Sequence, residues 1–89
     1  MPLPPSLAYA RYVRVVRSLA GRTLRPHEVD VLLEAADARL FGEEELAGRM
    51  ADSDVVLALL EESGRLDAAG AQRLGALLLA VNGALAPAA

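Results

Sequence analysis

The sequence predicts an all-α fold: a compact bundle of about five short helices in a single domain. Three observations lead there. The apolar residues, 54% of the chain, are almost entirely Ala, Leu and Val, while aromatics make up 3%. Ala and Leu are good helix formers, and few β-branched or aromatic residues cluster as a strand would require. Apolar positions recur at i, i+3, i+4 and i+7 in several segments, the pattern of a helix with one buried face. Gly, Pro and acidic residues punctuate those segments where helices start and stop. A chain of 89 residues has room for one core. Residues 1–89 therefore read as one domain, with 1–5 a Pro-rich lead-in and 86–89 a flexible tail.

Pro2, Pro4 and Pro5 make a stiff, non-helical start. The first helix is expected over residues 6–20, with Ser6 as N-cap and Gly21 as the stop. Ala8, Tyr9, Tyr12, Val13, Val15, Val16, Leu19 and Ala20 share one arc of it, and Arg11, Arg14 and Arg17 the opposite arc. The second helix opens at Pro26, with Glu28 in its electropositive first turn and Arg25 where a capping side chain would stand. Val29, Leu32, Leu33, Ala36 and Leu40 face inward, Asp30, Glu34 and Asp37 outward, and Gly42 ends it. A short third helix is expected over residues 43–51. A fourth, capped by Asp52 or Ser53, runs to Ser63 and stops at Gly64. Its apolar run, residues 55–60, has no clear period, which fits a buried central helix; a strand is the alternative. Asp67 caps the fifth helix, with Leu66 stapling onto Ala71. Leu74, Leu77, Leu78, Val81 and Leu85 form its stripe. The expected core is Leu32, Leu33, Leu59, Leu60, Leu74, Leu77, Leu78 and Val81.

Composition removes several chemistries. There is no Cys, hence no disulfide, thiolate metal site or cysteine nucleophile. The amino terminus lacks the charged and apolar regions of a signal peptide. The longest uncharged run, residues 74–89, is broken by Asn82, Gly83 and Pro87, and a membrane span needs about 20 apolar residues. A cytoplasmic protein is expected, with no membrane contact. The single histidine, His27, has Asp30 and Glu34 at helical spacing, so a His–carboxylate metal site can be drawn; it reads instead as a solvent-facing residue near a helix start. Ser6, Ser18, Ser53, Ser63 and Thr23 fall at helix ends, where capping accounts for them. Asp52-Ser53-Asp54 opens like a calcium loop but lacks its Gly and terminal Glu, and no phosphate loop or dinucleotide fingerprint is present. No catalytic residue, metal or cofactor is expected.

The charge layout is more informative. Residues 1–27 carry +5 and residues 28–67 carry −9, within a net charge of −3. A basic first helix is thus appended to an acidic body. Arg11, Arg14 and Arg17 form a candidate basic face for an acidic partner, or they lie beside the acidic helices of their own fold. The overall charge disfavours nucleic acid.

Glu45-Leu46-Ala47, five residues, Ser53, then Val56 and Gly64-Arg65-Leu66 resembles the helix-turn-helix of the excisionase and MerR families. That resemblance implies a small DNA-binding regulator. The chemistry departs from it. Recognition helices carry Arg, Lys, Asn or Gln toward base edges, whereas this stretch reads Asp54-Val55-Val56-Leu57-Ala58-Leu59, followed by Glu61 and Glu62.

The leading expectation is therefore a small helical protein–protein interaction module: a homo-oligomer, adaptor or accessory subunit without catalytic machinery. Two helices apolar nearly all round exceed what so small a domain can hide. The expected apolar contact residues are Leu57, Ala76, Leu79, Ala80 and Gly83, with Gly75 as a further small residue allowing close helix approach. A two-fold contact would bury the same patch on both subunits.

Overall fold

Pro5 opens the first helix instead of delaying it. In the computed structural model, which describes residues 4–81, α1 (Pro5–Leu19) is followed by α2 (Pro26–Phe41), α3 (Leu46–Glu62) and α4 (Ala68–Ala80). Pro at the first helical position costs nothing, because its missing N–H would have no partner there. The N-cap of α1 is accordingly Pro4 and not Ser6, and no side chain caps it. The chain is all-helical over these residues, with four helices where about five were expected.

The missing boundary is the one drawn at Asp52 and Ser53. These residues lie inside α3, which runs unbroken from Leu46 to Glu62. Ser53 is fully buried, and its hydroxyl donates to the Met50 carbonyl at 2.9 Å. A serine satisfied within its own helix has no need to end it. The turn implied by the helix-turn-helix resemblance is therefore not formed between Leu46 and Glu62, and the run 55–60 is helical, not extended.

The other stops fall where the glycines stand. Gly42 follows α2 with φ 63°, and Gly64 follows α3 with φ 74°, a left-handed backbone that a side chain disfavours. Asp67 caps α4 by accepting from the Gly70 N–H at 2.7 Å. A Cβ on Gly70 would lie 2.9 Å from both that Asp67 oxygen and a Leu66 methyl, so any larger residue there would make the capping side chain or the leucine shift.

The helices form a ring in chain order. α1 packs on α2, α2 on α3, α3 on α4 and α4 back on α1, while α1 and α3 do not meet. The core at the centre holds Tyr12, Val16, Leu24, Leu32, Ala35, Ala36, Val56, Leu57, Leu60, Leu74 and Leu78. A smaller cluster of Ala8, Leu40 and Val81 closes one end. Both tyrosines of α1 reach α2. Tyr12 is buried with its hydroxyl donating to the Leu32 carbonyl at 3.0 Å, and Tyr9 donates to Asp37 at 2.6 Å. Burial pushes the Tyr12 phenol well above its ordinary pKa; the Asp37 hydrogen bond, then burial, raises that of Tyr9. Asp37, expected on the wet side, is thus half-buried with a partner.

Of the expected core, Leu32, Leu60, Leu74, Leu78 and Val81 are buried, and Leu33 and Leu77 are half-buried. Leu59 is a correction: it is 57% exposed, because a continuous α3 turns Val56, Leu57 and Leu60 inward and Leu59 away. Leu85 and the tail 86–89 lie outside the described residues.

Two substitutions test this arrangement. Removing an N-cap serine costs about 0.5–2 kcal/mol, but within an unbroken helix alanine is the better helix former. Ser53→Ala should therefore leave helicity unchanged and cost no more than the roughly 1 kcal/mol of one hydrogen bond in urea unfolding. Leu60→Ala, at a fully buried site, should cost about 2–5 kcal/mol.

Candidate functional site

α3 is apolar over a wider arc than the ring can cover. At 100° per residue, Ser53, Val56, Leu57 and Leu60 fall on its buried side, and Gly48, Ala51, Val55, Ala58 and Leu59 on the outer side. All five of the latter are exposed, Val55 and Leu59 by 58% and 57%. Asp52, Asp54 and Glu61 flank this outer stripe and Glu62 closes its C-terminal end, and all four are likewise exposed.

Beside the stripe, α2 and α3 leave an open groove of about 370 Å³. Val31, Val55, Val56 and Leu59 supply its apolar lining, and His27, Glu28 and Asp52 its polar groups. The two helices run antiparallel here. Glu34, midway along α2, pairs with Arg49 in the first turn of α3, while Glu28 near the start of α2 meets Arg65 just beyond the end of α3.

The Glu28–Arg65 contact fixes one end of the groove. The Arg65 guanidinium donates to both Glu28 carboxylate oxygens, at 2.8 and 2.7 Å, and to the Thr23 carbonyl at 2.6 Å. This fork ties the α3–α4 turn to the α1–α2 turn, with the bidentate geometry that only Arg supplies. Glu28 also accepts from the Arg25 N–H at 2.8 Å, capping α2 from its third position where Arg25 itself cannot accept. The Arg65 hydrogen bonds hold the Glu28 carboxyl below its usual pKa, against an opposing push from burial; the Arg25 amide adds to the lowering. A third arginine, Arg39, donates to the Leu79 carbonyl at 2.9 Å and to that of Val81, satisfying the carbonyl end of α4.

The expected contact residues separate in this geometry. Arg11, Arg14 and Arg17 lie together on the exposed side of α1, with Leu7, Ala10 and Ser18. Leu79 is 62% exposed, Ala76 exposed and Ala80 half-buried, so the outer side of α4 carries a small apolar patch. Leu57 is a correction: it is 9% exposed and belongs to the core, on the face of α3 opposite Val55. A Cβ on Gly75 would meet nothing within 4 Å, so no helix of this fold approaches there. Gly83 lies outside the described residues. The drawn metal site is not assembled: Glu34 is engaged by Arg49, and among the described residues no three His, Cys, Asp or Glu side chains could hold a metal ion. No helix among those residues is long and apolar enough to cross a membrane.

The residues missed from sequence are Val31, Val55, Leu59 and the Arg65 fork. Val55 and Leu59 emerge from a helical wheel drawn over residues 46–62 as one segment, whereas Val31 joins them only through the packing of α2 on α3. Arg65 joins residues far apart in the chain and carries no local signal. Comparison of the chain with protein-family models, with curated proteins and with solved structures gives no match.

The lowered Glu28 pKa gives the fork a pH signature. A depressed carboxylate contributes stability that is complete above its unfolded value, about 4.3, and is lost as pH falls through the folded value. Wild type should therefore be more stable than Glu28→Gln at pH 7, and the gap in thermal midpoint should narrow steadily on acidification below about pH 4.3. A gap that stays constant with pH would refute the assignment.

Proposed function

We propose that this chain is a small helical protein–protein interaction module, acting as a homo-oligomer, adaptor or accessory subunit that presents helix faces to other chains. One observation supports this above the rest. Val55 and Leu59, one turn apart and both more than half exposed, stand over a groove lined by Val31 and Val56. A single exposed leucine on a small domain needs no explanation, but a contiguous apolar stripe beside a groove is what a docked helix covers. Burying it would gain roughly 25 cal/mol for each Å² removed from water. The α4 patch of Ala76, Leu79 and Ala80 is a second, smaller surface of the same kind.

The site's chemistry fits contact better than turnover. Both oxygens of Glu28 are committed to Arg65, and one also to the Arg25 amide. His27 stands at the groove without a hydrogen-bond partner among the described residues that would orient its ring for proton transfer.

Light scattering coupled to size-exclusion chromatography tests the reading. The wild-type chain at high micromolar concentration should run larger than a monomer, and Val55→Glu with Leu59→Glu should run as a folded monomer of unchanged helicity. A wild type that stays monomeric throughout, and shifts only when duplex DNA is added at low salt, would replace this reading with phosphate binding by the α1 arginines.

A further inference from the structure

Resting on that reading, we infer that the occupant of the α3 face is the basic face of α1 from a second copy of this chain, so that copies join head to tail. The two faces are matched in chemistry. Within α3 the exposed acids are Asp52, Asp54, Glu61 and Glu62, and its one arginine, Arg49, is taken by Glu34. Within α1 there is no acid, and Arg11, Arg14 and Arg17 enter no salt bridge among the described residues.

They are also matched in shape. Gly48, Ala51, Val55 and Ala58 follow the alternating three- and four-residue spacing of a helix seam that receives another helix. Small side chains at three of those positions let a backbone come close, and the space where a Gly48 Cβ would stand is open. The exposed stripe of α1 from Leu7 to Arg17 and that of α3 from Asp52 to Glu62 each cover eleven residues, roughly 15 Å from first to last. Arginine suits such a contact. Its aliphatic stem lies along an apolar floor while the guanidinium reaches a carboxylate at the edge. Leu7, 41% exposed, extends the same α1 face with an apolar side chain.

The ring prevents the two faces from meeting within one molecule. The backbones of α1 and α3 do not approach each other across the ring, and the residues of both faces are exposed on the outside of their helices. A contact between unlike patches is heterologous: each copy that is bound through α1 still offers α3, and growth continues until a ring closes. This differs from a two-fold dimer through the Leu79 patch, which stops at two.

Charge exchange tests it by sedimentation velocity over a micromolar series. One variant carries Arg11→Glu, Arg14→Glu and Arg17→Glu; the other carries Asp52→Arg, Glu61→Arg and Glu62→Arg. Wild type should grow past dimer with concentration. Each variant alone should need about tenfold higher concentration or more to associate, because its two faces then carry the same sign. An equimolar mixture should recover association, since each acidic α1 then meets a basic α3 and each basic α1 an acidic α3. Should either variant fold poorly, the cysteine-free chain allows a gentler check. Arg14→Cys combined with Val55→Cys should give a disulfide-linked ladder on oxidation, whereas Arg14→Cys with Leu79→Cys should not. Association of wild type that survives both charge variants and is abolished by Leu79→Glu would overturn this inference and leave the interaction reading intact. A wild type monomeric at every concentration would overturn this inference, while the reading as an adaptor or accessory subunit for other chains falls only if the monomer binds duplex DNA instead.

Discussion

A ring of four helices, each 13 to 17 residues long, covers only one arc of each member, and the structure follows from how unequally the four helices meet that constraint. α1 meets it fully: Ala8, Tyr12 and Val16 go inward, and arginines occupy the arc left over. α2 meets it with small residues, since Ala35, Ala36 and Ala38 let its neighbours approach on two sides. α3 does not meet it. Its inner arc is already complete with Val56, Leu57 and Leu60 when Ala51, Val55, Ala58 and Leu59 come round to the water side. The excess is a property of composition and length together. The same sequence split into two shorter helices could have tucked those residues inward, but Ser53 is buried and bonded within its own helix and does not break it.

Arginine is used in two distinct ways. Arg39, Arg49 and Arg65 lie in the acidic part of the chain, and each is consumed by the fold: one on the α4 carbonyls, one on Glu34, one in the fork with Glu28 and Thr23. Exposed ion pairs such as Glu34–Arg49 contribute little, about 0–1 kcal/mol. The fork differs in being half-buried, bidentate and bonded to a backbone carbonyl as well, so it fixes where two turns sit relative to each other. The arginines of α1 do none of this. They leave a basic surface on one helix of a molecule whose exposed α3 carries four acids, Asp52, Asp54, Glu61 and Glu62.

Much of this was legible in the sequence, for reasons that can be traced. Helix class, the start of α2 at Pro26, the stops at Gly42 and Gly64, the Asp67 cap and the inward Leu32, Leu60, Leu74 and Leu78 all express local chemistry: periodicity, fixed φ and side-chain caps. The departures within α3 share one origin. Asp52-Ser53 has the composition of an N-cap, and cap residues act through local hydrogen bonds that compete with the helix. Whether they win depends on burial, which is set by α2 and α4 and is invisible in the local string. With a boundary there, the run 55–60 shows no clear period and sets no register of its own. The expectation of Leu59 inside and Leu57 outside is the reverse of what the unbroken helix imposes. The Arg65–Glu28 and Tyr9–Asp37 contacts were illegible for a simpler reason, since each links residues far apart in the chain.

Glu28 connects the two halves of this account. It lines the groove, and it is the residue that Arg65 grips. The Glu28 edge of the groove is therefore held by the same fork that joins the α1–α2 turn to the α3–α4 turn, and under the proposed reading it would need no ordering by a partner. A surface whose side chains are already immobilised loses less conformational freedom on binding, which is where preorganised sites gain affinity. The apolar side of the groove lacks such anchoring: Val55 and Leu59 stand on the outer arc of α3 with half their surface in water. Val55, being β-branched, is stiff at χ1 and needs no partner to fix it. Leu59 retains rotamer freedom, so the cost of ordering the site falls mainly on this one side chain, and it is the side chain whose burial repays most in apolar area.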